Sequence, residues 1–366
     1  MTTLRLGIVG CGEVAQIIHL PALGYLGDKF SVTALCDISP KVLEEVAATC
    51  GSPACYSDYR DLIASEHVDA VLVTNPHAYH AEVAIAALDA GKHVLIEKPM
   101  CMTLAEADAL QAAQDRSGRV VQIGYMRRYS GTFMEAVKHV RAMGDSIRFA
   151  RVQDVIGKNR LIIDNTSRVI RDPDLPEDQR AALKRLEEQK IAEAIGEGKG
   201  DLAITYALLL GLGSHDISAM REIIGRPKNV ISATHRSHGR RVTATFDYGP
   251  FVCEFATGVD QLPRFDTYLE VYGDDKVIRI DYDTPYIRNL PARLTVTTAH
   301  GEAGVSQDHL FPSRLDSFVV EWEAFYDSVT AGVPTKTSIA DAREDLEIFV
   351  DIIDAIRMSN AQRKGN

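Results

Sequence analysis

At the amino end of the chain an apolar run breaks abruptly on a glycine turn. Leu4–Val9 (LRLGIV) reads as a buried strand, and Gly10-Cys11-Gly12-Glu13-Val14-Ala15 follows it at once. A GxGxxA turn between strand and helix is compatible with few folds. Gly10 permits the tight turn and Gly12 lets backbone approach a pyrophosphate, while Ala15 lets the helix pack closely on the strand. The helix start offers free N–H groups and the positive end of its dipole. Gly10, Gly12, Glu13 and Val14 are therefore the residues expected to touch a dinucleotide there. Asp37 follows 25 residues after Gly12, at the end of the next apolar run, Ser31–Cys36. A carboxylate at that place can accept hydrogen bonds from an adenosine ribose. Its structural alternative is a polar residue at a helix start.

The pattern continues as alternating strands and helices. Glu13–Leu20 reads as a helix stopped near Pro21, and Ser39-Pro40 as the cap and first turn of another. Val68–Thr74 is almost wholly apolar, as a strand covered on both faces must be. Tyr79–Asp89 is helical, His93–Ile96 a strand, Leu104–Arg116 a helix and Val120–Ile123 a strand. This spacing predicts a doubly wound parallel sheet over residues 1–125.

After Tyr125 short β-rich runs crowd together: Ser146–Ile156, Val230–His235, Val242–Tyr248, Phe251–Ala256, Thr267–Tyr272 and Lys276–Tyr282. Turn signals separate them, which predicts a large, mostly antiparallel open sheet in an α+β domain over 126–345. A helix and tail, 346–366, would close the chain, within a helical pattern running from Asp341 to Asn360 behind a cap candidate at Ser338. The stretch Lys158–Gly225 interrupts the sheet with helical, charged sequence.

Composition narrows the function. Lys+Arg 40 against Asp+Glu 51 gives a net charge of −11, which disfavours nucleic acid or an anionic membrane as the main partner. The six cysteines form no CxxC pair and read as free thiols of a reducing compartment. No apolar run approaches the length of a membrane span of about 20 residues. Met1–Gly12 holds one Arg and turns straight into the glycine loop, so no signal peptide is expected and a cytoplasmic location is. Eleven histidines supply no metal-binding spacing, so no metal is expected; His77 and His80 read as core or surface residues. The basic loop of His235, Arg236, His238, Arg240 and Arg241 reads as a solvated turn, with a sugar-phosphate or adjacent-subunit contact as the alternative, and Trp322 and Phe325 read as helix packing.

Glu97-Lys98-Pro99 ends the strand that starts at His93, at the edge where open α/β sheets bind ligands. With GIVGCGEVAQIIHLPAL, TNPHAYHAEVAIAALDAGKHVLIEKPM, VVQIGYMRRY, Gly213-Ser214-His215-Asp216 and FYDSVTAGVPTKTSIADAREDLEI, the chain resembles the glucose–fructose oxidoreductase and inositol dehydrogenase (Gfo/Idh/MocA) family. The resemblance implies NAD as cofactor and a small hydroxylated substrate, a sugar or cyclitol. It further implies a homodimer or homotetramer formed through the C-terminal sheet. Lys98 matches the family's active-site lysine and His215 its catalytic histidine. Asp37 matches the acidic cofactor discriminator. Thr74, Asn75, Pro76, His80 and Glu97 fall on cofactor-binding segments, and Arg127 and Tyr125 fall where family members approach cofactor or substrate.

One position departs from the pattern. Many relatives carry an Asp four residues before the histidine, where this chain has Gly211. Lys158, Asn159, Asp201, Tyr206 and Asp216 are the candidates to hold substrate in its place. The segment Lys158–Tyr206 is expected to be a surface excursion, a cover over the substrate side of the nicotinamide, or an arm reaching a neighbouring subunit in an oligomer. The chemistry that suits these residues is oxidation of a secondary alcohol to a ketone, with a histidine base and a lysine steadying the oxygen. Two alternatives are glycoside cleavage through transient oxidation by bound NAD, and a non-catalytic NAD-binding regulator.

Overall fold

The computed structural model describes residues 2–174 and 176–365 and divides into two compact units. The first contains the chain up to Tyr125 together with Thr166–Gly198 and Phe318–Leu346. The second contains Met126–Asn165, Lys199–Ser317 and the chain from Glu347 on. The units are therefore interleaved in sequence, unlike the consecutive domains 1–125, 126–345 and 346–366 expected above.

Six strands make the sheet of the first unit: β1 (Leu4–Val9), β2 (Phe30–Cys36), β3 (Ala54–Tyr56), β4 (Ala70–Val73), β5 (His93–Glu97) and β6 (Val121–Gly124). All neighbours are parallel, in the order β3-β2-β1-β4-β5-β6. This is the doubly wound dinucleotide-binding topology, whose ligand site lies beyond the strands' carboxyl ends where the order reverses between β1 and β4. β4 is buried throughout and β5 from Val94 on, which is why they read as apolar runs. The helix Ser317–Ala331 completes the core: Trp322 and Phe30 meet edge-on at 5.1 Å, and the Gln122 side chain donates to the Glu321 carbonyl at 2.9 Å.

The first helix runs past Pro21, contrary to expectation. Ala15–His19 winds in wide π-type turns and continues as the α-helix Leu20–Tyr25, with the Leu20 N–H bonded to the Ala15 carbonyl. The wider turn takes up the place where proline lacks an N–H and would crowd the carbonyl of the preceding turn.

The second unit is built on eight strands: β7 (Ile147–Ile156), β8 (Asn229–Arg236), β9 (Arg241–Asp247), β10 (Val252–Val259), β11 (Phe265–Gly273), β12 (Lys276–Tyr282), β13 (Arg293–Ala299) and β14 (Val305–Leu310). Their order is β14-β13-β12-β11-β7-β10-β9-β8, antiparallel except for β10 beside β7. The helices Gly131–Met143 and Ser214–Ile224 pack on this sheet with buried Phe133, Val137, Ile217 and Met220. Alternate positions such as Arg151, Thr243 and Glu254 are exposed, as on a sheet with one solvated face. Asp201–Ile224 is a continuous helical stretch of 24 residues, long and apolar enough to cross a membrane, but 67% of its apolar window is buried within the protein.

Candidate active site

In the first unit the β1 turn is closed by its neighbours. The Gly10 N–H donates to the Cys36 carbonyl at 2.8 Å, and Thr74 Oγ1 donates to the Gly10 carbonyl at 2.6 Å. Gly10 has φ +95°, and a Cβ placed on it would stand 2.5 Å from the Asn75 backbone nitrogen. No other residue fits there. A Cβ on Gly12 would meet nothing within 4 Å, so the space in front of the turn is open. Val14 lies in the helix that follows, and Glu13 pairs with Arg171 at 2.7 Å. The Asp37 carboxylate accepts from the Cys11 and Ser39 N–H groups, each at 2.8 Å. Asn75 Oδ1 is buried with no hydrogen-bond partner among the described residues. Gly10, Asp37, Asn75 and Pro76 line one cavity of about 580 Å³. An open glycine turn, a carboxylate at the β2 end and an unsatisfied buried amide oxygen fit a dinucleotide.

Beside this turn, Glu97 ends β5 in a buried hydrogen-bond chain. Trp322 Nε1 donates to His19 Nδ1 at 3.1 Å, so His19 carries its proton on Nε2 and directs it to Glu97 Oε1 at 2.8 Å. The other Glu97 oxygen accepts from the Lys98 N–H at 3.0 Å. Burial pushes the Glu97 pKa up, but the hydrogen bond from His19 and the nearby Lys98 charge outweigh it and hold the group below the usual range. The Lys98–Pro99 peptide is cis. Glu97, expected at the cofactor, is thus engaged with His19 and with the Lys98 N–H, and holds Lys98 at the carboxyl end of β5. His80 lies buried with its ring nitrogens 2.8 Å from the Pro99 and Asn75 carbonyls, tying the β4 and β5 ends together.

His77 stacks edge-on with His80 at 5.4 Å, and its pKa is pushed down to about 3, first by burial and then by His80 and Lys98. The folded value lies below the ordinary 6.5, so between these two pH values the unfolded chain binds more protons. Stability from this group is complete above pH 6.5 and falls as the pH drops towards 3. His77→Asn should flatten that loss in urea midpoints measured across this window. An unchanged pH slope would contradict a neutral, half-buried His77.

In the second unit the turn Met126–Tyr129 clamps the helix that carries His215. Arg127 donates to Asp216 Oδ1 at 2.6 Å and to Asp154 Oδ2 at 3.1 Å, and lies 5.0 Å from the Tyr282 ring centre. All three charged groups are buried. Burial pulls the Arg127 pKa down, and Asp216 and Asp154 more than reverse this, so the pKa is raised. Asp154 also accepts from Thr267 Oγ1 at 2.8 Å, and Arg128 reaches Glu222 on the same helix at 2.5 Å. Arg127, expected at the cofactor, and Asp216, expected at substrate, are thus engaged with each other. Sequence reading missed Asp154, Thr267, Arg128 and Glu222 as parts of this clamp. Only the doubled arginine hinted at it.

His215 is partly exposed in the first α-turn after the π-type turns Leu209–Gly213. A Cβ on Gly211 would meet nothing within 4 Å, so no neighbour fills the room of the missing aspartate. Lys158 is exposed, while Asn159 opens the helix Asn159–Thr166 with its Oδ1 buried and unpartnered among the described residues. Asp201 starts the helix Asp201–Leu208 and lies 3.7 Å from His238, and Tyr206 is buried. Tyr125, in the first unit, donates to Asp345 at 2.6 Å in a buried pair. Among the described residues no group of three or more His, Cys, Asp or Glu is arranged to hold a metal.

Comparison with known proteins agrees with this geometry. Residues 4–125 match the Gfo/Idh/MocA family model, described as an oxidoreductase family with an NAD-binding Rossmann fold. The inositol 2-dehydrogenase of Salmonella paratyphi B is 28% identical over 342 residues, covering 91% of this chain and 88% of that enzyme. An oxidoreductase from Thermotoga maritima superposes with a TM-score of 0.74 at 23% identity over 97% of both chains. The aldose–aldose oxidoreductase of Caulobacter crescentus does so with a TM-score of 0.74 at 20% identity over 98% of both.

Proposed function

Because the chain belongs to the Gfo/Idh/MocA family of nicotinamide-dependent oxidoreductases, we propose that it is an NAD-dependent dehydrogenase oxidising a secondary alcohol of a sugar, sugar derivative or cyclitol to the ketone. The observation that supports this most is Lys98, fixed behind the buried Glu97–His19–Trp322 chain at the carboxyl end of β5. The nicotinamide, when bound, supplies the hydride acceptor. Lys98 is the cation that orients the substrate oxygen and steadies its developing negative charge. His215 is the base that takes the hydroxyl proton, since an imidazole has its pKa near working pH. The buried Asn159 Oδ1 supports a part for that residue in holding a substrate hydroxyl. The solvated face of the eight-stranded sheet is the surface through which copies would associate.

A panel of inositols, aldoses and glycosides, each with NAD and followed at the nicotinamide absorbance, tests the reading. Reduction of NAD by at least one polyol supports it. Cleavage of a glycoside without accumulation of NADH would favour transient oxidation instead, and the absence of any turnover would favour a regulator.

NAD should be preferred to NADP. A 2′-phosphate would meet the Asp37 carboxylate, while Ile38 and Ser39 offer it no cation. Comparable kcat/KM with both cofactors would reject this, and Asp37→Ala should narrow the gap.

A further inference from the structure

The segment Thr166–Gly198 folds with the cofactor-binding unit, not with the strands it interrupts. Three polar hooks fix its first part to the glycine turn. Gln16 exchanges hydrogen bonds with the Ile170 backbone at 2.8 and 2.9 Å and also donates to the Cys11 carbonyl at 2.8 Å. Arg171 pairs with Glu13 at 2.7 Å. Asp172 accepts from Ser39 Oγ at 2.6 Å, and the N–H of that same serine holds Asp37. The far end is held by Lys190 on Glu106 and by buried Ile191 and Ile195. Between these anchors runs the helix Glu177–Ile195. Its first turns bring Gln179, Arg180 and Leu183 to the wall of the 580 Å³ cavity that also holds Gly10, Asp37 and Asn75.

The substrate-side cover expected from sequence is therefore not what this part of the excursion forms. It lies over the β1–β2 side of the turn, where Asp37 awaits a ribose. Only Ile191 and Ile195 of its helix are buried, and the hooks before the helix are polar, so it can detach at less than the cost of global unfolding.

We propose that Thr166–Gly198 is a retaining strap for the adenosine half of the dinucleotide, with Arg180 and Leu183 as contact residues that must lift before the cofactor exchanges. The proposal rests on the assignment of this unit as the NAD site. Bound cofactor is then enclosed, and its release becomes a slow step of turnover.

Two measurements on the full-length protein test it. Hydrogen exchange is followed in the wild type with and without ADP-ribose, and NADH release is followed by stopped-flow displacement in wild type and in Arg180→Ala/Leu183→Ala. ADP-ribose should protect the amides of Glu177–Ile195. The double variant should release NADH about tenfold faster or more, the scale of losing one leucine's apolar contact. Unchanged exchange in that helix, or an unchanged release rate in a folded variant, overturns the strap. A wild type that binds neither NADH nor ADP-ribose would instead overturn the NAD assignment, and the strap with it.

Discussion

Lys98→Met and His215→Ala should each lower kcat by about 10²-fold or more, the scale of a lost electrostatic or acid–base contribution. The methionine keeps the length and apolar stem of lysine while removing the ammonium, so the loss reports on charge. Neither change touches Gly10, Asp37 or Asn75, and NAD affinity should survive in both. His215→Ala should also remove the limb of the pH–kcat profile that follows an imidazole. His77 does not supply that limb, because its pKa is pushed down to about 3. Near-native kcat in His215→Ala between about pH 6 and 9, where a histidine base titrates, would end the assignment of His215 as base.

The second large effect is on stability. Arg127→Met leaves the Asp154 and Asp216 carboxylates buried without the guanidinium that faces both. Breaking a buried pair by removing one partner costs about 3–5 kcal/mol, because the remaining charge stays desolvated and uncompensated. Here two charges are left, so the loss should reach that range in chemical denaturation. Adding Asp154→Asn and Asp216→Asn to Arg127→Met removes the stranded charges and should recover part of it. If Arg127→Met cost less than about 1 kcal/mol, the scale of an exposed ion pair, the clamp on the His215 helix would not be a structural element. A role for Arg127 at the cofactor, the expectation from sequence, would then regain ground.

That contrast shows where sequence reading reached and where it stopped. The strand Leu4–Val9, the cap at Ser39 and the strands and helices flanking residues 54–64 follow from local signals: apolar runs, turn glycines and capping hydroxyls. The strand β3 escaped notice because Ala54 and Cys55 are exposed, Tyr56 is only half-buried, and it exists by pairing with β2. β14 escaped for a similar reason, whereas β13 buries Leu294, Thr295 and Val296 and was missed despite that. Most of β14 is exposed and polar, and its partner across the ladder, not burial, makes it a strand.

Long-range partners were harder still. The sequence shows GYMRRY but not that Arg127 meets residues 27 and 89 positions away. Nor does it show that Gln16 meets Ile170 across 154 positions, which turns an apparent surface excursion into a covering of the cofactor unit. The family motifs located Lys98 at a strand end. The buried Glu97–His19–Trp322 chain that fixes it joins residues from three distant parts of the sequence.

Direct hydride transfer from a substrate carbinol to NAD can be followed with a polyol deuterated at the oxidised carbon. Product and cofactor are both examined by mass spectrometry. The account predicts one deuterium in the reduced cofactor for each ketone formed. Product formed with the deuterium still on its carbon, or without an equivalent of reduced cofactor, would contradict it.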